Sequence, residues 1–575
     1  MFQEQKKIIK KHNLFFTKVV FFFVLFLSLN CTAHSSDFKI IYDDKPAFDK
    51  AIYAAKSIEP IKEGMTGVTV PHHLLAADLI AKGFKYASKG QYKNIIIIAP
   101  DHFRKTTKPF ATTTKNFETI FGKVTTNSSF TEDLISKNHL FQESELFQKE
   151  HSIRALLPFI RFYFPKAKII PIVIGRQSTR KDWDEVIILL TKFLSKQTLV
   201  VQSTDFSHFL PYHLAIQRDQ EVINTLTSGD IKSILRLKQP DHLDSVGAQY
   251  IQSKIQKEYL NANLEIAAHK NSQFYFDSPL KETTSYILQL YLKKNLTNNR
   301  LDLKNNDFKS LFFAGDTLVG RELTTFLTDK KNRKKFTDYV IGITQGQPLI
   351  VNLEGVILED IPQNLKFKAM TMSSSLTVPL FKQLNIIAVS LANNHSNDLG
   401  ILAYKSMKNT LETAGIKTIE HGRITDLGDI RILGLTDINN KDPYRKNFIK
   451  PDILNSRLIK QAKPPVFTFI HWGQEFRLDI SKREKYLIEL LRNRAISAIV
   501  GHHPHAANKK IIFYRDREFP IVFSLGNFLF DQANVMNSGA ILEVRIFPSR
   551  ISFLKIHQIK NIIDIIGNKS LLDKK

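Results

Sequence analysis

The chain has 575 residues, of which 43% are hydrophobic and 11% aromatic, so it can bury full cores and is long enough for about two to four ordinary domains. Its formal net charge is +26, but the lysines are scattered and no arginine-rich arm or base-reading helix is present, so no nucleic-acid partner is expected. We expect attraction to an anionic polymer of the cell envelope or to a membrane surface, unless the lysines serve only as a solvated surface.

Residues 1–36 have the pattern of a secretory signal. Five lysines lie within the first 18 residues, the apolar run VVFFFVLFLSL follows at 19–29, and AHS at 33–35 is a small-x-small cleavage sequence. The apolar run is short for a transmembrane helix. We therefore expect export to the periplasm or the extracytoplasmic envelope, with cleavage after Ser35 or retention of the segment as an anchor as open alternatives.

Cys31 is the only cysteine, so no intramolecular disulfide can form. It stands where a lipoprotein signal has its lipidated cysteine, although Leu29 and Asn30 occupy positions where that signal has small residues. Lipidation of Cys31 and an incidental cysteine in a removed peptide therefore both stay open.

Apolar runs of strand length alternate with amphipathic segments over 37–292. The runs NIIIIAP (94–100), KIIPIVIG (168–175) and TLVVQSTD (198–205) each end at a polar or glycine-containing turn, whereas 73–87 has apolar residues at helical spacing. This alternation predicts an α/β domain.

Four segments of this first half place a histidine near an apolar run: GVTVPHH (67–73), APDHF (99–103), KEHSIRALLPF (149–159) and STDFSHF (203–209). They resemble the Memo family, known in prokaryotes as AmmeMemoRadiSam system protein B, whose fold is that of class III extradiol ring-cleaving dioxygenases. The resemblance implies two metal-type histidines, His72 and His102. It also implies three further pocket residues, which are His151, Asp205 and His208.

Two positions depart from the Memo pattern. The family has a cysteine before a glycine near the end of the pocket, where this chain has Val246, and Arg154 stands where an acidic residue is expected. Loss of a soft thiolate weakens affinity for copper-like ions, so metal in this pocket is in doubt. The alternatives are a modified metal site and a scaffold retained for binding. Ring cleavage needs two histidines and a carboxylate, and the sequence identifies no such carboxylate.

Residues 293–309, KKNLTNNRLDLKNNDFK, are rich in asparagine and lysine and have no sustained apolar face. This composition predicts a linker, followed by a second domain over 310–560. Strand-like runs resume there: SLFFAGD (310–316), PLIVNLEG (348–355), NIIAVSLANNH (385–395), PVFTFIHWG (465–473), AISAIVGHHPH (495–505) and FPIVFSLGN (519–527).

Potential metal ligands follow the apolar cores of these runs. Ligands bind outside the carboxyl ends of strands in open α/β sheets, so we expect these side chains to meet at one rim. Mixed oxygen and nitrogen donors suit Mn, Fe or Zn, and their number is sufficient for two ions that share a carboxylate. The predicted ligands are Asp316, Glu354, Asn394, His471, His503 and His505. Alternation along GHHPH would direct His502 away from the other two histidines.

Six motifs occur in order over 308–535: GDTLVGR (315–321), NLEG (352–355), SLANNHSNDLG (390–400), HWGQEF (471–476), GHHPH (501–505) and SLGNFLFDQ (524–532). They resemble the CapA family of poly-γ-glutamate capsule biosynthesis proteins, whose fold is the calcineurin-like metallophosphoesterase αββα sandwich. The resemblance implies that Asp316 and His505 hold one ion and that Glu354 bridges the two. It assigns the remaining predicted ligands, Asn394, His471 and His503, to the other ion.

The same resemblance implies that His395 is the general acid that protonates the leaving group. Arg321 and Lys366 could hold an anionic part of the substrate or could be surface charges. No Asp-x-His sequence precedes the GD motif, and Glu354 stands where the superfamily more often has aspartate. One ligand of the superfamily's usual two-metal set is therefore missing here.

Two functions are therefore expected as alternatives. The first is an exported metal-dependent hydrolase that acts on a phosphoester or on a γ-glutamyl polymer. The second is a non-catalytic envelope factor that binds and guides an anionic polymer such as poly-γ-glutamate. His395 distinguishes them, because only the hydrolase needs an acid. A third alternative makes the N-terminal domain the enzyme and the C-terminal domain an envelope anchor.

Overall fold

The computed structural model describes residues 37–61, 63–294, 301–304, 306–362, 370–438, 449, 465–494, 496–515, 519–531, 539–560 and 562–566. The predicted signal at 1–36, with Cys31, and the predicted substrate residue Lys366 lie outside these ranges. Within them, no helix has the length and apolarity that crossing a membrane requires.

The first half is built on one mixed sheet. Its strands are β1 Met65–Val70, β2 Asn94–Pro100, β3 Phe110–Thr112, β4 Phe141–Glu143, β5 Lys168–Ile174, β6 Thr198–Ser203, β7 His208–Leu210, β8 Ala262–Asn271 and β9 Thr283–Lys293. They lie in the order β4-β3-β5-β2-β6-β1-β9-β7, and β8 pairs with β9. The four central strands, β5, β2, β6 and β1, are parallel.

Helices cover this sheet, and the α/β prediction is confirmed. All four isoleucines of β2 are fully buried, which is typical of parallel strands covered on both faces. The α-helices are Lys45–Ala54, Ala77–Ala87, Ser128–Lys137, His151–Arg154, Leu157–Tyr163, Arg180–Thr191, Tyr212–Thr227, Ile231–Ile234 and Val246–Lys254.

The second half contains two larger sheets. The first has the order β15-β14-β11-β10-β23-β24 with β22 beside β10, and the second has the order β16-β17-β18-β19-β21-β20. A separate parallel pair joins β12 to β13. The strands are β10 Lys309–Thr317, β11 Leu349–Leu353, β12 Val356–Leu358, β13 Thr371–Ser373, β14 Ile386–Ser390, β15 Lys417–Ile419, β16 Ile424–Asp426, β17 Arg431–Thr436, β18 Val466–His471, β19 Ala498–His502, β20 Ile512–Tyr514, β21 Phe519–Val522, β22 Asn527–Leu529, β23 Gly539–Ile546 and β24 Ser552–Ile559.

The two sheets pack face to face, and helices lie on their outer faces. Phe313 of the first sheet meets Phe467 and Phe469 of the second, with ring centroids 5.9 and 5.4 Å apart, in one shared apolar cluster. The outer helices are Glu322–Thr328, Lys330–Thr344, Ser374–Gln383, Gly400–Thr413, Lys482–Arg492 and Ile562–Ile566. The layers therefore form the expected αββα sandwich.

Buried polar contacts join the two halves. The guanidinium of Arg545 lies 2.6 Å from Glu265 and 2.6 Å from Glu543, and His269 Nδ1 lies 2.8 Å from Ser549 Oγ. In the segment predicted as a linker, Leu301 and Leu303 are buried, so its described part packs against the folded halves. The domain boundaries themselves stay a prediction.

Candidate metal centres

The carboxyl ends of strands from both C-terminal sheets deliver the predicted ligands to one rim. In the first sheet, Asp316 lies near the end of β10, Glu354 follows β11, and Asn394 follows β14. In the second sheet, His471 ends β18, His502 ends β19, and the turn with His503 and His505 follows. The site therefore lies where the two sheets meet.

Asp316 is the centre of the carboxylate side of this rim. Its Oδ2 lies 3.3 Å from His505 Nδ1 and accepts the backbone N–H of His503 at 3.2 Å. Its Oδ1 accepts Asn352 Nδ2 at 2.8 Å. Burial raises the pKa of Asp316, while burial and the charge of Asp316 raise the pKa of Glu354 well above its ordinary value. Two buried carboxylates in one place need protons or cations to compensate them.

His471 is the centre of the imidazole side. Its Nε2 lies 2.7 Å from Asn394 Oδ1 and 3.9 Å from Glu354 Oε1, and its Nδ1 lies 2.9 Å from His502 Nδ1. Burial lowers the pKa of His471 and His502 well below the ordinary value, and that of His503 to about 3. These imidazoles are neutral at physiological pH, which is the form that binds metal.

The rim contains three overlapping groups whose ligand atoms lie within 4.8 Å of one another. They are Asp316–Glu354–His505, Glu354–His471–His503 and Asp316–His471–His502. Among the described residues, Glu354 Oε2, His503 Nδ1 and His502 Nε2 are buried without a hydrogen-bond partner. Each such atom costs about 1–3 kcal/mol, so the donor set fits divalent cations.

His502 corrects one expectation. Strand alternation predicts that it points away from the site, whereas its Nδ1 lies 3.6 Å from Asp316 Oδ1 and it belongs to the cluster. The cause is the backbone, because β19 ends at His502 and the following turn has φ values of 99° at His503 and 54° at His505. Such positive φ values are strained for non-glycine residues and concentrate at functional sites.

His395 projects from a loop that buried asparagines hold in place. Asn393 Oδ1 accepts the backbone N–H of His395 at 3.0 Å, and Asn393 Nδ2 donates to Asn352 Oδ1 at 3.0 Å. His395 Nδ1 pairs with Asp398 Oδ2 at 2.8 Å, and the His395 side chain is 28% exposed. The preceding residue, Asn394, lies 2.7 Å from His471 Nε2 through its Oδ1, so the loop places His395 beside the imidazole side of the rim. Sequence reasoning missed Asn352, although it lies in a motif that was singled out.

Arg321 lies at the edge of this rim. Its Nη1 is 3.3 Å from Asp531 Oδ1, and its guanidinium stacks 5.6 Å from the centre of the Phe530 ring. The Arg321 side chain is 38% exposed, and its charge acts to lower the pKa of Glu354. It is therefore placed to meet a ligand that reaches the buried cluster from solvent.

The N-terminal pocket brings three of its predicted histidines together. The ligand atoms of His72, His102 and His151 lie within 4.8 Å of one another. Asp205 Oδ1 accepts the backbone N–H of His72 at 3.1 Å, and burial raises the pKa of Asp205 to about 7. His208 is mostly buried, its Nδ1 has no hydrogen-bond partner among the residues that the structure describes, and burial lowers its pKa to about 4.

A carboxylate that the sequence did not identify completes this pocket. Asp244 Oδ2 lies 3.2 Å from His72 Nε2 and 3.9 Å from His102 Nε2. Asp244 stands two positions before Val246, the residue in place of the expected cysteine, in the loop that precedes the helix Val246–Lys254.

Arg154 is the other position that departs from the Memo pattern. Its side chain contacts the Phe117 ring and the carbonyl oxygen of Lys39.

Comparisons with known proteins divide the chain in the same way. Residues 43–284 match the family model of Memo-like protein, and residues 310–429 and 433–532 match that of bacterial capsule synthesis protein PGA_cap. PGA biosynthesis protein CapA of Bacillus subtilis (strain 168) is 27% identical over 259 residues, which are 40% of this chain and 65% of that relative. A MEMO1 family protein of Pyrobaculum arsenaticum is 28% identical over 183 residues, which are 31% of this chain and 65% of that relative.

The chain thus spans less than two thirds of the length of these relatives. Among solved structures, TT1561 of Thermus thermophilus aligns over 44% of this chain and 100% of its own, at 11% identity and a TM-score of 0.26, a likeness too weak to bear on the site.

Proposed function

Because this chain joins a Memo-like domain to a CapA-like capsule biosynthesis domain, we propose that it is a metal-dependent hydrolase of the cell envelope. The observation that carries the proposal is that two groups of candidate ligands share Glu354. Asp316 and His505 would hold one ion, and His471 and His503 would hold the other with Asn394. Two ions so held supply an activated hydroxide and stabilise the attacking and leaving oxygens.

His395 is the residue that we propose as the general acid. Its Nδ1–H donates to the Asp398 carboxylate, so Nε2 is the atom that carries the proton for the leaving group. A carboxylate in this position fixes the ring and stabilises the imidazolium form. The partial exposure of His395 lets its ring meet a substrate that enters from solvent.

Arg321 is the residue that we propose for binding an anionic group of the substrate. Asp531 and the Phe530 ring hold the guanidinium at the rim. The planar fork of arginine suits bidentate contact with a carboxylate or a phosphate. Both a γ-glutamyl polymer and a phosphoester present such groups.

The test is the metal content and hydrolytic activity of the full chain beside two variants. We expect His503→Ala to lose metal and activity. We expect His395→Ala to keep its metal and to lose about 10²- to 10⁴-fold in turnover of a phosphodiester or a γ-glutamyl polymer. His139→Ala is the matched control, because the His139 side chain is 77% exposed and lies outside both sites. Unchanged metal content in His503→Ala would contradict the proposal.

A second candidate, a factor that binds and guides an anionic polymer, is favoured by a cavity between the two halves. The cavity has a volume of about 380 Å³, and only one carboxylate, that of Asp230, is among its described lining residues. Five lysines line it: Lys257, Lys294, Lys509, Lys510 and Lys555. Such a predominantly positive surface attracts polyanions.

Binding of poly-γ-glutamate separates the two candidates. For a guide factor we expect salt-sensitive binding that Lys509→Glu with Lys510→Glu weakens and that His395→Ala leaves unchanged, without cleavage of the polymer. For a hydrolase, wild type shortens the polymer and His395→Ala does not. Lys196→Glu with Lys192→Glu, on another part of the surface, is the matched charge control.

We also propose that the protein is exported and acts at the envelope. The support is the signal-like pattern at 1–36. Cell fractionation and the mass of the mature N-terminus test this proposal. Cleavage after Ser35, lipidation at Cys31 and an uncut anchor give three different masses, and an intact chain in the cytosol would contradict it.

A further inference from the structure

We infer that the N-terminal pocket is a separate mononuclear metal centre in which the Asp244 carboxylate supplies the anionic ligand beside His72 and His102. The centre lies in the first half of the chain, so it does not depend on the hydrolase proposed for the second half. The thiolate that the Memo pattern has where this chain has Val246 is then not required as a ligand.

The orientation of His102 is fixed by a buried carboxylate. Its Nδ1 lies 2.9 Å from Glu150 Oε1, and the Glu150 side chain is fully buried. Because a carboxylate accepts, Nδ1 carries the hydrogen and Nε2 is left for a second partner. Metal-binding histidines are oriented in this way by a carboxylate on the other ring nitrogen.

The orientation of His72 follows from a short hydrogen-bond chain. The hydroxyl of Ser203 donates to the carbonyl oxygen of Ser152, so its oxygen accepts from His72 Nδ1 at 3.1 Å. The lone pair of His72 therefore lies on Nε2. That atom is 3.2 Å from Asp244 Oδ2.

The Nε2 atoms of His72 and His102 thus both lie within 3.9 Å of one carboxylate oxygen, Asp244 Oδ2. Asp244 Oδ2 also accepts the backbone N–H of Asp205 at 3.0 Å, whereas Asp244 Oδ1 is buried with no partner among the described residues. Lone pairs that converge without a cation repel one another. Two ligand atoms that are each about 2.1 Å from a tetrahedral ion lie about 3.4 Å from one another. The distances from Asp244 Oδ2 to the two histidines, 3.2 and 3.9 Å, lie on either side of that value.

The composition of the site indicates which ion it takes. Two imidazoles and a carboxylate, without sulfur, suit Fe(II), Mn or Zn rather than Cu(I). His151 closes the set within 4.8 Å of the other histidines. The side chains of His102 and His151 are 26% and 38% exposed, whereas that of His72 is 2% exposed, so a small ligand would enter past the two more exposed rings.

The first experiment is metal titration of the full chain. Asp244→Ala should lose about one metal equivalent per chain, and its affinity for Co²⁺ should fall by at least about 100-fold. Residues that only support a ligand typically change metal affinity by about 10- to 100-fold, and loss of a direct ligand should cost more. Asp241→Ala, three positions away, should keep wild-type metal content. Loss in Asp244→Ala should add to the loss in His503→Ala, since the two centres are separate.

The second experiment places a thiol at either position in a Cys31→Ser background, which removes the only native cysteine. We expect Asp244→Cys to give a thiolate-to-metal charge-transfer band with Cu²⁺ or Co²⁺, and Val246→Cys to give a weaker band or none. The band in Val246→Cys alone, or full metal retention by a folded Asp244→Ala chain, would overturn the inference. In the latter case a proton shared by His72 and Asp244 would be the sole occupant of the pocket.

Discussion

The two candidate metal centres use similar side chains in different ways. At the C-terminal rim, two sheets contribute ligands, and two buried carboxylates, Asp316 and Glu354, lie among four histidines. In the N-terminal pocket, three carboxylates contact the histidines: Glu150 lies 2.9 Å from His102, Asp205 lies 3.6 Å from His72, and Asp244 lies near the Nε2 atoms of both. We therefore propose that the two centres differ in the ions they hold: two at the rim, where Glu354 belongs to two ligand groups, and one in the pocket, where Asp244 lies near two histidines.

Glu354→Gln is the strongest test of this contrast. Because Glu354 belongs to both groups at the C-terminal rim, we expect its loss to remove both ions of that rim and to leave the N-terminal ion. Hydrolysis should fall by at least about 10³-fold, since one electrostatic stabiliser alone is worth about 10²–10³. Metal per chain and turnover are measured together. Loss of a single ion would mean that Glu354 does not bridge.

The sequence predicted the C-terminal rim better than the N-terminal pocket, and strand ends explain why. Asp316 and His471 lie at the ends of β10 and β18, where an apolar run followed by a polar residue is visible in sequence. Asp244 lies in a loop before a helix, and only the tertiary fold brings it to His72. The αββα layers were implied by the family resemblance that the six motifs carry, whereas the alternation of apolar runs by itself predicted only an α/β domain.

The wrong placement of His502 has a local cause. Alternation applies to an extended chain, and the turn after β19 departs from it at His503 and His505. A positive φ outside glycine cannot be predicted from residue types, because the surrounding tertiary structure holds it. Similarly, Asn352 and Asn393 support the rim through hydrogen bonds that depend on the packing of three strands.

Arg545→Met tests whether the two halves are one folding unit. The Arg545 side chain is 2% exposed between Glu265 and Glu543, and its loss removes a charged partner from two buried carboxylates. Breaking such a pair costs about 3–5 kcal/mol, so we expect a lower urea midpoint. Arg515→Met, at the exposed pair with Glu489, is the control and should change the midpoint little. Equal midpoints for the two variants would show that the halves do not need this contact.

The same cluster gives the chain a defined acid sensitivity. Burial acts to raise the pKa values of Glu265 and Glu543. The charges of Lys555 and Arg545 nevertheless lower the pKa of Glu265, and the charge of Arg545 lowers the pKa of Glu543. Both contribute stability that is complete above the unfolded pKa of about 4.3 and is lost as pH falls below it. In Arg545→Met, both carboxylates lose one of the charges that lower their pKa values, so we expect stability to fall less on acidification than in the wild type. Thermal melts across the acid range to neutral pH measure both trends, and parallel curves for the two proteins would contradict the assignment.

The smallest expected effects come from a matched pair of carboxylates. Glu150 and Asp398 each hold the Nδ1 of a histidine, His102 at 2.9 Å and His395 at 2.8 Å. If His102 is a metal ligand and His395 an acid, Glu150→Gln should weaken metal binding by about 10- to 100-fold. Asp398→Asn should leave metal binding unchanged and slow turnover by about tenfold. A proton donor whose charged form is less well stabilised loses only part of the roughly 10²- to 10⁴-fold rate increase that a general acid gives. Metal affinity and turnover of both variants separate the roles. Loss of metal in Asp398→Asn would indicate that His395 is a metal ligand and not an acid. Glu150 and Asp398 would then have the same role, which is to orient a metal-binding histidine.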